Sequence, residues 1–229
     1  MFQTTIAMKT RSLKIQVSPS IGKVSAEYIA PSNPKCILAL SHGAGAGMNH
    51  PFMVALANSL GETGIATLRF NFPFAENKKG RPDVPVVAQK TIEAAIAKAH
   101  QLSSDLPVFV AGKSFGGRMS SQYISTNPKS PVQGIIFYGF PLHPPGKPST
   151  DRADHLKNVK VPMLFLQGTR DTLAQWDLIE LVCSSLSKAT LIKIEGVDHS
   201  FKAGKMNTTE LLSKASNNWV ENLLKKRDA

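Results

Sequence analysis

The sequence predicts an α/β fold in which a mostly parallel sheet is covered by helices on both faces. Three observations lead to this prediction. Short apolar runs typical of buried strands alternate along the chain with longer segments whose apolar residues recur at helical spacing. Several of these runs end in glycine-rich or polar residues, and one leads directly into a Gly-x-Ser-x-Gly motif at Gly112–Gly116. Because ligands of parallel α/β sheets bind beyond the carboxyl ends of the strands, these ends are the candidate functional positions.

The strands are predicted from apolar runs bounded by turn residues. The first two form an antiparallel pair joined through Pro19 and Gly22, whereas the continuous apolar run Cys36–Leu40 is typical of a strand buried on both faces. The predicted strands are Leu13–Val17, Val24–Ile29, Cys36–Leu40, Ile65–Phe70, Pro107–Ala111, Val132–Phe137, Val161–Leu166 and Thr190–Ile194.

The helices are predicted from apolar residues three and four positions apart among strong helix formers. The segment Val86–Leu102 carries the clearest signal, with Ile92, Ala95, Ile96 and Ala99 on one face. The predicted helices are Phe52–Leu60, Val86–Leu102, Phe115–Thr126, Leu173–Leu186 and Thr208–Lys225, with a short one at Asp151–Lys157.

Size and composition indicate one domain over residues 1–229, with 42% apolar and 19% charged residues. No apolar stretch approaches the ~20 residues that span a bilayer. The segment Met1–Arg11 resembles neither a secretory signal nor an anchor. Two cysteines, Cys36 and Cys183, favour a reducing compartment over a disulfide framework. We therefore expect a cytoplasmic protein with no membrane partner.

The net charge of +11 is the one unusual feature of the composition. Such a charge can attract nucleic acid or an anionic surface. The basic residues are spread over the whole chain, however, with only small clusters at Lys78–Arg81 and Lys225–Arg227, and no nucleic-acid motif accompanies them. We expect a solvated basic surface and no nucleic-acid partner.

The Gly-x-Ser-x-Gly motif has a physical reason for its glycines. A strand that turns sharply into a helix brings the two backbones too close for a Cβ, so Gly112 and Gly116 flank Ser114. The turn exposes the serine hydroxyl, and the amide of Phe115 lies at a helix N-terminus that favours negative charge. The alternative is a glycine-rich turn with a passive serine.

A serine hydroxyl needs a neighbouring base, and the base needs an orienting carboxylate. His199 and Asp171 follow two later strands, which gives the chain order serine, aspartate, histidine. Each has an alternative role: His199 as a structural loop residue and Asp171 as a helix cap. Asp198 is a poor substitute for Asp171, because adjacent side chains seldom hydrogen-bond well. We predict Ser114, Asp171 and His199 as the catalytic residues.

The segment His42–Gly47 follows the third strand and contains three glycines. Its small residues let backbone N–H groups approach a substrate, so the amides of Ala44 and Gly45, acting with that of Phe115, are candidates for an oxyanion hole. The alternative is a flexible turn that His42 shapes. The glycine spacing does not match a dinucleotide or phosphate loop, and the histidines are scattered, so we expect no cofactor and no metal.

The chain resembles an α/β-hydrolase over essentially its full length. It is most similar to small members without a lid, such as the dienelactone hydrolase-like group. Three segments also resemble a narrower, poorly characterised family that includes a testis-expressed protein and a scaffold subunit of a chromatin acetyltransferase complex. These segments are Ser41–Gly47, Arg69–Phe74 and Ala111–Arg118. The resemblance implies the α/β-hydrolase fold and the roles of Ser114, Asp171 and His199. Dienelactone hydrolases use cysteine, so a serine here implies carboxylic-ester chemistry.

The function predicted first is a serine hydrolase of small esters, thioesters or amides that acts through an acyl-enzyme. A non-catalytic scaffold with a basic surface and an acyltransferase are the alternatives, and the oligomeric state stays open. Lys113, Arg118 and Arg170 either favour an anionic substrate or are solvated surface charges. The candidates for an apolar acyl pocket, each of which could equally pack in the core, are Phe72, Phe74, Phe140, Leu142 and Trp176.

Overall fold

The computed structural model describes residues 7–204 and 206–228. Residues 1–6, which belong to the segment predicted to be neither signal nor anchor, lie outside the described residues. The described strands are β1 Met8–Ser18, β2 Gly22–Pro31, β3 Cys36–Ser41, β4 Ile65–Phe70, β5 Val108–Lys113, β6 Ile135–Tyr138, β7 Met163–Gly168 and β8 Ala189–Ile194. The described helices are α1 Pro51–Glu62, α2 Pro73–Glu76, α3 Pro85–Leu102, α4 Phe115–Thr126, α5 Trp176–Ser184 and α6 Thr208–Asp228, with a 3₁₀ helix at Asp151–Asn158.

The strands form one sheet in the order β1-β2-β4-β3-β5-β6-β7-β8. β3 to β8 run parallel to one another, and β1 and β2 form the predicted antiparallel pair at one edge. All six residues of β3, β4 and β7 are buried, as expected for strands covered on both faces. The predicted α/β fold, a mostly parallel sheet flanked by helices, is therefore confirmed.

The core consists of two layers, one on each side of the sheet. One layer includes buried residues of α3, α4 and α5, and the other includes those of α1 and α6. Among residues 7–204 and 206–228, no helix is long and apolar enough to cross a bilayer.

The helix predicted from Leu173 begins three residues later, at Trp176. The physical reason is a hydrogen bond in which the Leu173 N–H donates to Asp171 Oδ1 at 2.8 Å. This bond and that of the Ala174 N–H to the Asp171 carbonyl hold the segment after β7 in a turn before the helix starts. Because the helix begins only at Trp176, Asp171 lies in the turn that follows the carboxyl end of β7.

The crossing of β5 and α4 determines where the candidate site lies. A Cβ on Gly112 would come within 2.1 Å of the Gly117 nitrogen, and one on Gly116 within 2.7 Å of the His42 carbonyl oxygen. Real Cβ atoms do not approach so closely, so backbone packs directly against backbone at this crossing. The start of α4 is thereby held against the end of β3.

We predict that Gly112→Ala destabilises the fold by about 3 kcal/mol, because the new methyl group would overlap the backbone of α4. Gly80→Ala is the matched control, since nothing lies within 4 Å of a Cβ at that position. Urea denaturation of both variants measures the difference. Equal stabilities would show that the crossing relaxes to accept a side chain.

Candidate active site

Ser114 lies at the tip of the turn between β5 and α4, as predicted. Its φ of 50° and ψ of −113° are unusual for a residue with a side chain and cost about 1–3 kcal/mol, so the surroundings must hold the backbone in place. Two hydrogen bonds do so: the Ser114 N–H donates to the Tyr138 carbonyl at 3.2 Å, and the Arg118 N–H donates to the Ser114 carbonyl at 3.1 Å. The turn therefore presents the hydroxyl in one defined direction.

The structure brings Ser114, His199 and Asp171 together in one hydrogen-bonded chain. The His199 Nε2 lies 2.8 Å from the Ser114 Oγ, and the His199 Nδ1 lies 2.7 Å from the Asp171 Oδ2. An ionised carboxylate can only accept, so the proton of a neutral imidazole resides on Nδ1. The Nε2 lone pair then faces the serine hydroxyl, which is the arrangement that lets an imidazole take up a hydroxyl proton.

Asp198, the residue before His199, hydrogen-bonds to the backbone of its own loop. Its Oδ1 accepts hydrogen bonds from the Ser200 N–H at 2.8 Å and from the Lys202 N–H at 2.9 Å. These bonds shape the loop after β8 that carries His199. Asp171 is therefore the carboxylate that meets the imidazole, and its side chain is 1% exposed.

The Asp171 carboxylate also accepts a hydrogen bond from a side chain that sequence reasoning did not identify as functional. The Gln167 Nε2 donates to Asp171 Oδ2 at 2.6 Å, while Gln167 Oε1 accepts from the Phe140 N–H at 2.9 Å. Gln167 is fully buried, although it is polar and ends an apolar strand. The sequence signal that could have identified Gln167 is an amide at the end of an apolar run, four residues before the candidate carboxylate. Gln167 fixes the orientation of the acid through both ends of its amide.

The glycine loop at 43–47 lies beside Ser114. A Cβ on Gly43 would contact the Ser114 Cβ at 3.8 Å, which shows how closely the two backbones run. Ala44 and Gly45 are exposed and line the cleft next to the serine. The N–H groups of Ala44, Gly45 and Phe115 donate to no other group in the described part of the chain. They remain free to donate to a bound group.

His42 anchors the start of this loop and takes no part in the serine–histidine–aspartate chain. The Phe72 N–H donates to its Nε2 at 3.0 Å, and its Nδ1 donates to the Gly43 carbonyl at 2.8 Å. Burial lowers the pKa of His42 to about 4, so the ring is neutral near pH 7. This agrees with the interpretation that His42 shapes the loop.

The cleft next to Ser114 has a volume of about 380 Å³, and its wall is mostly apolar. The residues that line it are Gly43, Ala44, Gly45, Ala46, His50, Phe52, Met53, Lys113, Ser114, Leu173, His199 and Ser200. Phe52, Met53 and Leu173 supply its large apolar side chains. Sequence reasoning did not select these three, because nothing in the order of elements indicates which helix covers the strand ends.

The five residues predicted to form an acyl pocket lie elsewhere, and this placement corrects the prediction. Phe72 and Phe74 pack edge-on against His42 and Phe115, behind the serine turn. Phe140 and Leu142 are buried in the hydrophobic core. Trp176 lines a separate shallow cavity of about 520 Å³, and the Lys193 Nζ lies 4.9 Å from the centre of its ring.

Of Lys113, Arg118 and Arg170, predicted either to favour an anionic substrate or to be solvated surface charges, Lys113 alone lines the cleft. Its ammonium turns away to donate to the His199 carbonyl. Arg170 is exposed on the separate cavity that Trp176 lines. Among the side chains that the structure describes, no group of three or more histidine, cysteine, aspartate or glutamate residues could hold a metal ion.

Comparison with known proteins shows the family. Residues 34–223 match the family described as Alpha/beta hydrolase domain, and the chain belongs to it. Dienelactone hydrolase from Anabaena variabilis superimposes with a TM-score of 0.74 at 18% identity, covering 94% of this chain and 98% of that one. A serine hydrolase without a lid from Xanthomonas campestris gives 0.73 at 20% identity, covering 92% and 95%. These similarities show a shared fold without a large lid.

A curated relative from Mycobacterium tuberculosis is 25% identical over 217 residues and carries the name of a phosphoribosyl transferase. The match covers 91% of this chain and 46% of that protein. The chain thus spans about half the length of the curated relatives it matches.

We predict that Gln167→Met lowers the free energy of unfolding by about 1–3 kcal/mol, because it leaves the buried Phe140 N–H without an acceptor and removes a donor from Asp171. Gln101→Met on the exposed face of α3 is the control and should stay within about 0.5 kcal/mol of the native chain. Thermal or urea unfolding separates the two.

We also predict that His42 makes the free energy of unfolding depend on pH in the acid range. The unfolded chain titrates near 6.5 and the folded one near 4, so the unfolded state binds more protons between these values. The contribution of His42 to the free energy of unfolding should fall as the pH drops from about 6.5 toward 4 and stay constant below that. His42→Gln keeps an acceptor for the Phe72 N–H, does not titrate, and should show a smaller slope of unfolding free energy with pH. Burial also lowers the pKa of His155 to about 4, so His155 contributes to the slope that remains in the variant. Identical slopes in the two proteins would contradict the assignment.

Proposed function

We propose that the protein is a serine hydrolase that cleaves small carboxylic esters through an acyl-enzyme. The observation that carries the proposal is the continuous hydrogen-bonded chain from Ser114 through His199 to Asp171, which ends in the cleft. A passive serine in a glycine-rich turn has no need of a buried carboxylate aligned through an imidazole. The family is one of hydrolases, and the fold neighbours include esterases such as Est1E from Butyrivibrio proteoclasticus.

In the first step, the His199 Nε2 takes the Ser114 proton while the Oγ attacks the ester carbonyl carbon. The carbonyl oxygen becomes negative and accepts hydrogen bonds from the Phe115 N–H and from that of Ala44 or Gly45. The C–O bond to the leaving alcohol then breaks, and the imidazolium returns its proton to that oxygen. Water repeats the sequence on the acyl-enzyme and releases the carboxylic acid, which regenerates the Ser114 hydroxyl.

The walls of the cleft support an uncharged acyl group as substrate. Phe52, Met53 and Leu173 offer apolar contacts, and the Lys113 ammonium is engaged with a backbone carbonyl. A volume of about 380 Å³ is at the small end of the range for ligand pockets, which favours short acyl chains. Thioesters and amides react through the same steps. The phosphoribosyl transferase name belongs to a protein about twice as long and does not decide which activity its matched half carries.

We expect a fluorophosphonate probe to label the protein on Ser114, and p-nitrophenyl esters of short acyl chains to be hydrolysed. Ser114→Ala should abolish labelling and lower kcat by at least about 10³-fold, because the nucleophile is gone. Ser184→Ala, which removes an exposed hydroxyl on α5 outside the cleft, is the matched control and should react normally.

The assay also separates the alternatives. Absence of labelling in the native protein would favour a non-catalytic scaffold. Labelling combined with faster acyl transfer to added alcohols or amines than to water would favour an acyltransferase.

A further inference from the structure

Lys113 directly precedes the candidate nucleophile, and its side chain does not extend into solvent. Its stem packs beside the glycine loop, where a Cβ on Gly43 would lie 3.7 Å from the Lys113 Cγ. Its Nζ reaches past the serine turn and donates to the His199 backbone carbonyl at 2.5 Å. One side chain thus joins the turn that carries Ser114 to the loop that carries His199.

Phe201 and Gly139 both favour the position of the Lys113 ammonium. The Nζ lies 5.2 Å from the centre of the Phe201 ring, over its face, which favours a cation. Gly139, with φ of 71°, leaves room for it: a Cβ there would come within 3.3 Å of the Nζ and 3.5 Å of Asp171 Oδ2. A side chain at residue 139 would crowd the space that the ammonium and the carboxylate share.

The charged groups that face the ammonium come from two elements. Asp171 follows β7, Asp198 lies on the loop after β8, and both carboxylates favour the charged form of the lysine. Burial acts in the opposite direction and is the larger effect, so the pKa of Lys113 falls to about 8. Lys113 is therefore mostly protonated near pH 7 and loses its proton as the pH rises past about 8.

We infer that Lys113 is a positioning residue: its ammonium ties the His199 loop to the Ser114 turn and holds the imidazole at hydrogen-bonding distance from the hydroxyl. This inference rests on the proposed hydrolase function. The tie acts on the backbone of His199, so it restricts the loop and leaves the Nε2 lone pair free. Because a displacement of about 1 Å in a reacting group can cost ~10²-fold in rate, such a restraint affects turnover directly.

The test compares Lys113→Met with native protein in ester hydrolysis and fluorophosphonate labelling over the range of about pH 6 to 10. Methionine keeps the length of the stem and removes the donor. We expect kcat to fall about 10- to 100-fold with KM within about threefold, because the substrate cleft stays intact. The native protein should lose activity above about pH 8, and the variant should lack this alkaline decline. Lys202→Met, which removes an exposed lysine from the same loop, is the matched control and should keep the native profile.

If Lys113→Met retains the native kcat and the native pH profile, the inference is wrong. If circular dichroism shows that the methionine variant does not fold, Lys113→Arg decides: a charged donor that keeps its proton should preserve activity and move the alkaline decline to higher pH. An unchanged decline in the arginine variant overturns the inference. Labelling of native Ser114 tests the proposed function separately, because the hydrolase proposal stands whenever the native protein reacts and Ser114→Ala does not.

Discussion

Direct packing of backbone against backbone, where the strand β5 turns into the helix α4, is the constraint on which the rest of the site depends. The glycines at 112, 116 and 117 leave no room for a Cβ, and the nearest atoms belong to the end of β3 and to the turn itself. Ser41 Oγ donates to the Ala111 carbonyl at 3.0 Å and joins the two strand ends. The serine and the glycine loop therefore reach the same cleft because their backbones cannot separate without opening this crossing.

A second set of contacts holds the far end of the glycine loop and explains the segment that follows β4. The Met48 N–H donates to Asn71 Oδ1 at 2.8 Å, and the Arg69 Nη1 donates to the Met48 carbonyl. Arg69 is 2% exposed and pairs with Glu27 of β2. The Glu27 side chain is half-buried, and such a pair adds little net stability because removing the Arg69 charge from water offsets much of the attraction. Its value here is geometric, since it directs the guanidinium at one carbonyl of the loop.

Sequence reasoning predicted the succession of strands and helices along the chain. It also predicted the three side chains that meet, because they stand at the carboxyl ends of parallel strands. It did not predict the cleft walls. Phe72 and Phe74 follow a strand end just as Asn71 does, yet they turn back onto His42 and Phe115. Lys113 was expected either to favour an anionic substrate or to be a solvated surface charge; the residue lines the cleft, but its ammonium donates to the His199 carbonyl. Side-chain direction beyond a strand end depends on loop paths, which residue patterns do not specify.

Four polar side chains therefore hold three parts of the site. Gln167 orients the Asp171 carboxylate, Lys113 restrains the His199 loop, and His42 with Asn71 holds the two ends of the glycine loop. Each hydrogen bond connects a segment of the site to a neighbouring strand end, and each uses a buried or half-buried polar group that would otherwise lack this partner. Such groups are costly to displace, so the segments they hold have few other arrangements. This preorganisation gives loops of irregular structure a geometry as well defined as that of the sheet beneath them, because each loop is tied to a strand end by a hydrogen bond.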